Sequence, residues 1–155
     1  MNGAHCVRRS SQLRVKWARN LLYAYAMRGY IARTPQALSE FLSGGTYLTD
    51  SAFVTTRYFY AEFPDVDEEE REFELSLLAA NRSRELQGAG AKFGLVLAVN
   101  LKGAQTGVES DATIALLSEI SWDQVDSLLV SESDEEELIW YACQEIADNL
   151  ASWLG

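Results

Sequence analysis

The sequence has a single histidine, two cysteines and two prolines among its 155 residues. Cys6 and Cys143 lie near opposite ends of the chain, so the sequence does not predict the disulfide framework of a small secreted domain. Zinc sites need several His or Cys ligands at short spacings, and His5 is not followed by a second histidine. The longest apolar stretch, near residues 94–99, is far shorter than the roughly 20 residues that cross a membrane. No secretory signal pattern is recognisable either, and we expect a cytoplasmic protein.

Motifs of nucleophilic or phosphate chemistry are missing as well. A Ser–His–Asp or Cys–His arrangement would have to use His5, the only histidine. Gly44-Gly45 and Gly88-Ala89-Gly90 lack the Lys-Ser/Thr pair of a phosphate loop and the third glycine of a dinucleotide fingerprint. Carboxylates are so plentiful that no one pair stands out as acid and base. We therefore predict a non-enzymatic protein with no metal and no cofactor.

Charged residues are numerous, but they are unevenly distributed along the chain. The formal net charge is −10. Residues 1–39 contain seven Lys or Arg and no acid, whereas residues 40–155 contain six bases and 23 acids. This acidic body would repel a polyanion, so we do not expect nucleic-acid binding. The basic residues predicted to make contacts, either with the chain's own body or with a partner, are Arg8, Arg9, Arg14, Lys16 and Arg19.

Helical periodicity predicts two helices before the first strand. The first runs from Ser10 or Ser11 to about Arg28, with apolar residues recurring at helical spacing. The second begins at Thr34-Pro35, a threonine N-cap followed by proline at the first helical position, and ends at Gly44-Gly45.

The hydrophobic period then changes from 3.6 to 2, which predicts strands. Four of them follow one another without an intervening helix, so an antiparallel sheet is expected. An acidic loop at Asp65–Glu70, a turn at Gln87–Ala91 and a loop at Gly103–Asp111 connect them. The predicted strands are Phe53–Phe63, Arg71–Asn81, Phe93–Leu101 and Ala112–Ile120.

Two helices are predicted after the sheet. Ser121 with Gln124 has the spacing of a capping box, which predicts a short helix over Ser121–Val130. Ser133 with Glu136 has the same spacing and predicts a long amphipathic helix to the C-terminus, with acids in its first turn and Cys143 on its apolar side. The sequence thus predicts one α+β domain. Residues 1–45 would form a basic helical head, and residues 46–155 a four-stranded antiparallel sheet plus the long helix.

Two surfaces are candidate partner-binding sites. The first predicted strand is aromatic on both faces, which indicates either a contact surface or a sheet that the chain's own helices cover on both sides. The acidic loop is either an ordinary solvated loop or a docking site for a basic partner. The candidate partner-binding residues are Tyr58, Tyr60, Asp65, Asp67, Glu68, Glu69 and Glu70.

Part of the sequence also resembles a known protein family. The stretch Ile114-Ala-Leu-Leu-Ser-Glu-Ile-Ser121, followed by Leu138-Ile-Trp-Tyr-Ala-Cys-Gln-Glu145-Ile146, resembles the last strand and main helix of the SecB family of export chaperones. The similarity covers about residues 53–155. It implies a tetramer-forming, non-catalytic protein that binds unfolded polypeptides on apolar grooves and a basic partner on acidic surface.

Three functional hypotheses follow. The first is a chaperone-like, homo-oligomeric protein that binds polypeptide clients on the apolar sheet surface and a basic partner on its acidic surface. The second is an acidic stoichiometric inhibitor or immunity protein that masks a basic or nucleic-acid-binding site of another protein. The third is a structural subunit of a phage-type assembly, docked through the basic head.

Overall fold

The computed structural model describes residues 5–6, 27–47, 49–132 and 137–154. The secondary-structure elements, in chain order, are β1 (His5–Cys6), β2 (Met27–Arg33), α1 (Pro35–Gly44), β3 (Thr46–Tyr47), β4 (Ser51–Phe53), α2 (Arg57–Glu62), α3 (Glu68–Gln87), β5 (Gly94–Leu101), β6 (Thr106–Ser110), β7 (Thr113–Leu116), β8 (Ile120–Ser121), β9 (Val125–Ser131), β10 (Ile139–Ala142) and α4 (Cys143–Leu154). Short 3₁₀ turns precede β6 and β9, at Gly103–Gln105 and Trp122–Gln124.

A single large sheet organises the chain. Its strand order is β1-β10-β9-β5-β2-β4-β7-β6, and β3 pairs with β8 in a separate two-stranded sheet. Every pair is antiparallel. The α+β class and the antiparallel arrangement are confirmed. The predicted four-stranded sheet with two N-terminal helices and one long C-terminal helix is wrong, because the sheet has eight strands and the described residues contain four α-helices.

Helices cover both faces of the sheet. On one face, Ile31 and Leu97 belong to a buried cluster with Leu38 of α1 and Ile146 of α4. On the other, the cluster joins residues of β2, β5 and β9 to Phe59 of α2 and to α3; its buried members are Tyr30, Phe59, Leu75, Ala79, Ala80, Val96, Ala98, Leu129 and Leu138. Burial on both faces explains the apolar character of the central strands without an open contact surface.

The predicted strand Phe53–Phe63 is wrong. Only Phe53 belongs to a strand, at the end of β4, and residues 57–62 form α2. The helix begins at Thr56, whose side chain accepts a hydrogen bond from the Phe59 backbone N–H at 3.0 Å. A Thr N-cap of this kind overrides the strand preference of the aromatic residues that follow.

The second half of the predicted acidic loop, Glu68–Glu70, and the second predicted strand both lie in α3. Asp67 is the N-cap of this 20-residue helix, and its carboxylate accepts from the Glu70 backbone N–H at 2.9 Å. The alternation of residues 71–81 coincides with a helical stripe, because Leu75 and Ala79 are four residues apart and both are buried. A strand pattern and a helix pattern cannot be separated over so short a window.

The C-terminal third also differs from prediction. The capping box at Ser121 forms, with the Ser121 N–H donating to Gln124 Oε1 at 3.1 Å, but it starts one 3₁₀ turn and then β9 rather than a helix. The predicted loop Gly103–Asp111 contains β6, and the predicted strand Ala112–Ile120 shortens to β7. The long final helix is replaced by β10 and the 12-residue α4.

Several local predictions are confirmed. α1 begins at Thr34, which accepts from the Ala37 N–H at 3.1 Å, with Pro35 as its first residue. It ends at Gly44, before Gly45 with φ of 81°. β5 matches the predicted third strand, and Gly88 and Gly90 form the predicted turn with positive φ.

Some predictions concern residues outside the described ranges. These include most of the first helix, the cap at Ser133–Glu136, and the basic residues Arg8, Arg9, Arg14, Lys16 and Arg19. Arg28, the predicted end of the first helix, lies in β2 at the centre of the sheet. Within the predicted head, β1 and β2 are strands of the main sheet, and α1 packs on one of its faces.

Candidate functional site

The short helix α2 exposes two tyrosines. Thr56 caps the helix and also donates its hydroxyl to the Asp111 backbone carbonyl, which fixes the N-terminus of α2 to the β6–β7 hairpin. Phe59 inserts into the core beside α3. On either side of it in sequence, Tyr58 and Tyr60 remain 48% and 50% exposed. One buried phenylalanine thus anchors a helix whose two tyrosines face solvent.

Tyr58 is paired with the neighbouring arginine. The Arg57 guanidinium lies 5.0 Å from the Tyr58 ring centroid and donates to the Tyr58 hydroxyl at 3.0 Å. This hydrogen bond raises the pKa of Arg57 above its ordinary value. Glu109 of β6 accepts from the Arg57 backbone N–H at 3.2 Å. The cation therefore supports the outward-facing ring.

Tyr60 is connected to the acidic segment by Arg71 of α3. The Arg71 guanidinium lies 4.5 Å from the Tyr60 ring centroid. The same group donates through Nη1 to the backbone carbonyls of Phe63, at 3.0 Å, and Val66, at 2.6 Å. Arg71 thus holds the α2–α3 connection in place and brings the tyrosine next to it. We call residues 57–71 the α2–α3 corner.

The acidic residues of the corner differ in exposure and in structural role. Asp67 is used as the helix cap, and Glu68–Glu70 occupy the first turn of α3, where negative charge is favoured by the helix dipole. Glu62, Asp65 and Glu70 have exposed side chains. Within residues 62–71 there are six acids and the one base Arg71. The charge of the segment is therefore strongly negative even after the arginine is counted.

The structure brings all the predicted partner-binding residues into this corner. Tyr58, Tyr60, Asp65, Asp67 and Glu68–Glu70 lie on α2, on its connection to α3, or on the first turn of α3. Sequence reasoning placed them on a strand and a loop, and it missed the contributions of Arg57, Glu62 and Arg71. The arginines that flank the acidic run in the sequence were the available signal.

Outside the corner, the Arg28–Asp126 pair and Cys143 have structural partners. Arg28 and Asp126 form an ion pair at 3.2 Å with side chains only 5% and 10% exposed, beside an irregularity in the β5–β9 register. Cys143 packs against the core, as predicted, and its thiol donates to the carbonyls of Val125 and Asp126 at 3.1 and 3.4 Å. Among the described residues, no three His, Cys, Asp or Glu side chains are grouped to hold a metal ion.

The same described ranges contain no helix with the length and apolar character needed to cross a bilayer. The candidate site is thus a surface corner that combines exposed aromatic rings, the arginines Arg57 and Arg71, and exposed carboxylates. Such a surface suits a positively charged partner, because Tyr is enriched at protein interfaces and the carboxylates favour cationic groups.

Comparison with known proteins gives one match. Searches of curated proteins and of solved structures found no match. A family model described as a family of unknown function, DUF6912, matches residues 27–137, which is more than half of the chain. The matched region runs from β2 beyond β9 and includes the whole α2–α3 corner. The chain therefore belongs to the DUF6912 family.

Proposed function

We propose that this protein is a non-enzymatic protein-binding domain that docks a basic partner on its α2–α3 corner. The observation that carries the proposal is the combination, on one surface, of Tyr58 and Tyr60 at about half exposure with the exposed acids Glu62, Asp65 and Glu70. Rings with two rotatable side-chain angles lose little entropy on binding, and surrounding charge selects the partner and accelerates its approach.

The architecture supports this surface as a docking site. Phe59, the cap at Thr56 and the Arg71 hydrogen bonds fix the backbone on both sides of the exposed rings. A preorganised surface loses less conformational freedom on association. The proposal follows the second sequence hypothesis, in which an acidic protein binds a basic partner at a fixed stoichiometry. It leaves open whether binding inhibits that partner.

The chaperone-like function stays an untested prediction. The sequence argument for it is an apolar sheet that needs more than one covering layer. Both faces of that sheet pack against the chain's own helices, so the motivation is weaker. The segments that resemble SecB also separate in space, since β7 lies second from one edge of the sheet and β10 second from the other.

The experiment compares two triple variants of the full chain that have the same net charge. The corner variant combines Glu62→Gln, Asp65→Asn and Glu70→Gln. The control combines Glu119→Gln, Asp123→Asn and Asp148→Asn, all exposed and outside the corner. Each immobilised protein is incubated with extract of the source cells, and bound proteins are quantified by mass spectrometry.

We expect one basic protein to be retained at one-to-one stoichiometry by the wild type and the control, but not by the corner variant. Association with that purified partner should slow at least about tenfold from low to high salt, as electrostatic steering is screened. Equal retention by both variants would place the interface elsewhere. Recovery of many unfolded clients, with no stoichiometric partner, would favour the chaperone-like function instead.

A further inference from the structure

We infer that the α2–α3 corner selects an arginine-rich segment over a lysine-rich one of equal charge. This inference rests on the proposed function and names the chemistry of the partner. It is carried by the two exposed tyrosine rings of α2, each of which already lies within stacking distance of a guanidinium in the structure, at 5.0 Å for Tyr58 and 4.5 Å for Tyr60.

The two internal contacts indicate how a partner's cation would bind. Arg57 and Arg71 both lie against tyrosine rings while making hydrogen bonds from the guanidinium, Arg57 to the Tyr58 hydroxyl and Arg71 to two backbone carbonyls. A planar guanidinium can stack and donate hydrogen bonds at the same time, whereas a compact, strongly hydrated ammonium does so less well.

The exposed part of the corner carries both kinds of group that a guanidinium can contact, aromatic rings and carboxylates. About half of each ring is exposed, and the free carboxylates of Glu62 and Asp65 are close in sequence to Tyr60. A carboxylate accepts two parallel hydrogen bonds from arginine but only a point-charge contact from lysine. Charge complementarity alone would attract both residues, so the rings and the paired hydrogen bonds are what distinguish them.

The test uses two fluorescein-labelled peptides of nine residues, one all arginine and one all lysine, titrated with the full chain and followed by fluorescence anisotropy. We expect the arginine peptide to bind at least about fivefold more tightly, in keeping with the strength of exposed cation–π contacts. The preference should disappear in the double variant Tyr58→Leu/Tyr60→Leu. It should persist in Tyr58→Phe/Tyr60→Phe, which keeps both rings.

The outcomes separate this inference from the proposed function. Equal affinity for the two peptides, with binding lost in the corner triple variant, would overturn the arginine preference and leave a charge-driven docking site. An arginine preference that survives in the leucine variant would also overturn it, because the rings would then play no part. If neither peptide binds at low salt, both the preference and the docking site are refuted.

Discussion

Two buried glutamines form a closed amide pair that we expect to be a main source of stability. Gln105 donates to Gln124 Oε1 at 3.1 Å, and Gln124 donates back to Gln105 Oε1 at 2.7 Å. Each side chain has further backbone partners. Gln105 donates to the Glu119 carbonyl at 2.8 Å and Gln124 to the Asn100 carbonyl at 2.9 Å. The Lys102 N–H donates to Gln105 Oε1 at 2.9 Å, and the Ser121 N–H and hydroxyl donate to Gln124 Oε1 at 3.1 and 3.4 Å.

The substitution Gln124→Ala removes five hydrogen bonds and leaves their partners behind. Gln105 loses both of its hydrogen bonds to the Gln124 amide. The Asn100 carbonyl and the Ser121 N–H and hydroxyl lose their hydrogen bonds to Gln124 as well. Each buried polar group left unsatisfied costs about 1–3 kcal/mol, and water entering the gap recovers part of that. We expect a total loss of about 3–4 kcal/mol, out of the roughly 5–15 kcal/mol typical of a domain.

The assay is urea unfolding followed by tryptophan fluorescence, with Gln144→Ala on the exposed side of α4 as the matched control. The control should change the free energy of unfolding by less than about 0.5 kcal/mol. The double variant Gln105→Ala/Gln124→Ala should cost much less than the sum of the single variants, because the two amides lose the same interaction. The reasoning would be refuted if Gln124→Ala lowered the free energy of unfolding by less than about 1 kcal/mol. It would also be refuted if the loss in the double variant equalled the sum of the losses in the two single variants.

Three further predictions concern the sheet and its helices. Asp126→Ala leaves the Arg28 guanidinium buried without its ion-pair partner and should lower the free energy of unfolding by about 3–5 kcal/mol in urea titrations. Gly94→Ala places a methyl group 2.6 Å from the Ala80 backbone oxygen, so α3 must move away from β5 and the melting temperature should fall, at a cost of about 1–3 kcal/mol. Burial, followed by the charges of two glutamates, raises the pKa of Tyr141 in the folded protein. The folded state therefore holds this proton more tightly than the unfolded state, and the stability that it contributes is lost as the pH rises above about 10.

Each of these has a control within the chain. Asp123→Ala removes an exposed carboxylate and should leave the unfolding midpoint almost unchanged. Gly44→Ala adds a methyl group with no heavy atom within 4 Å and should be neutral or slightly stabilising. In Tyr141→Phe, the decline in the urea midpoint between pH 9 and 11 should be shallower than in the wild type. An equal decline in both proteins would contradict the Tyr141 assignment.

The elements that were predicted correctly have their determinants within a few residues. The start of α1 depends on Thr34 and Pro35, and its end on Gly44 and the positive φ of Gly45. The strand β5 is a run of apolar residues too short for a helix between turn signals. Tyr58 and Tyr60 are candidates because a predicted strand is rich in aromatic residues, and the acids because a predicted loop is densely charged. Their role in binding stays a prediction.

Two of the elements that were predicted wrongly depend on distant contacts. Residues 71–81 fit both a strand and a helix, and packing of Leu75 and Ala79 against the sheet decides for the helix. At Ser121–Gln124 the predicted cap forms, but the Gln124 amide bonds to Gln105 and Asn100, and the chain continues as β9. No local pattern contains these partners, which lie 19 and 24 residues away.

The sequence by itself determined the α+β class, the acidic charge, the caps of α1 and seven residues of the candidate binding surface, but not Arg57, Glu62 or Arg71. These follow from composition and from hydrogen bonds between near neighbours. Only the tertiary structure decided that the sheet has eight strands, that helices cover both its faces, and that Arg71 brings Tyr60 to the acidic segment. Sheet pairing and helix packing are set by residues far apart in the chain, and their energies outweigh the small local preferences from which the strands of residues 53–81 were predicted.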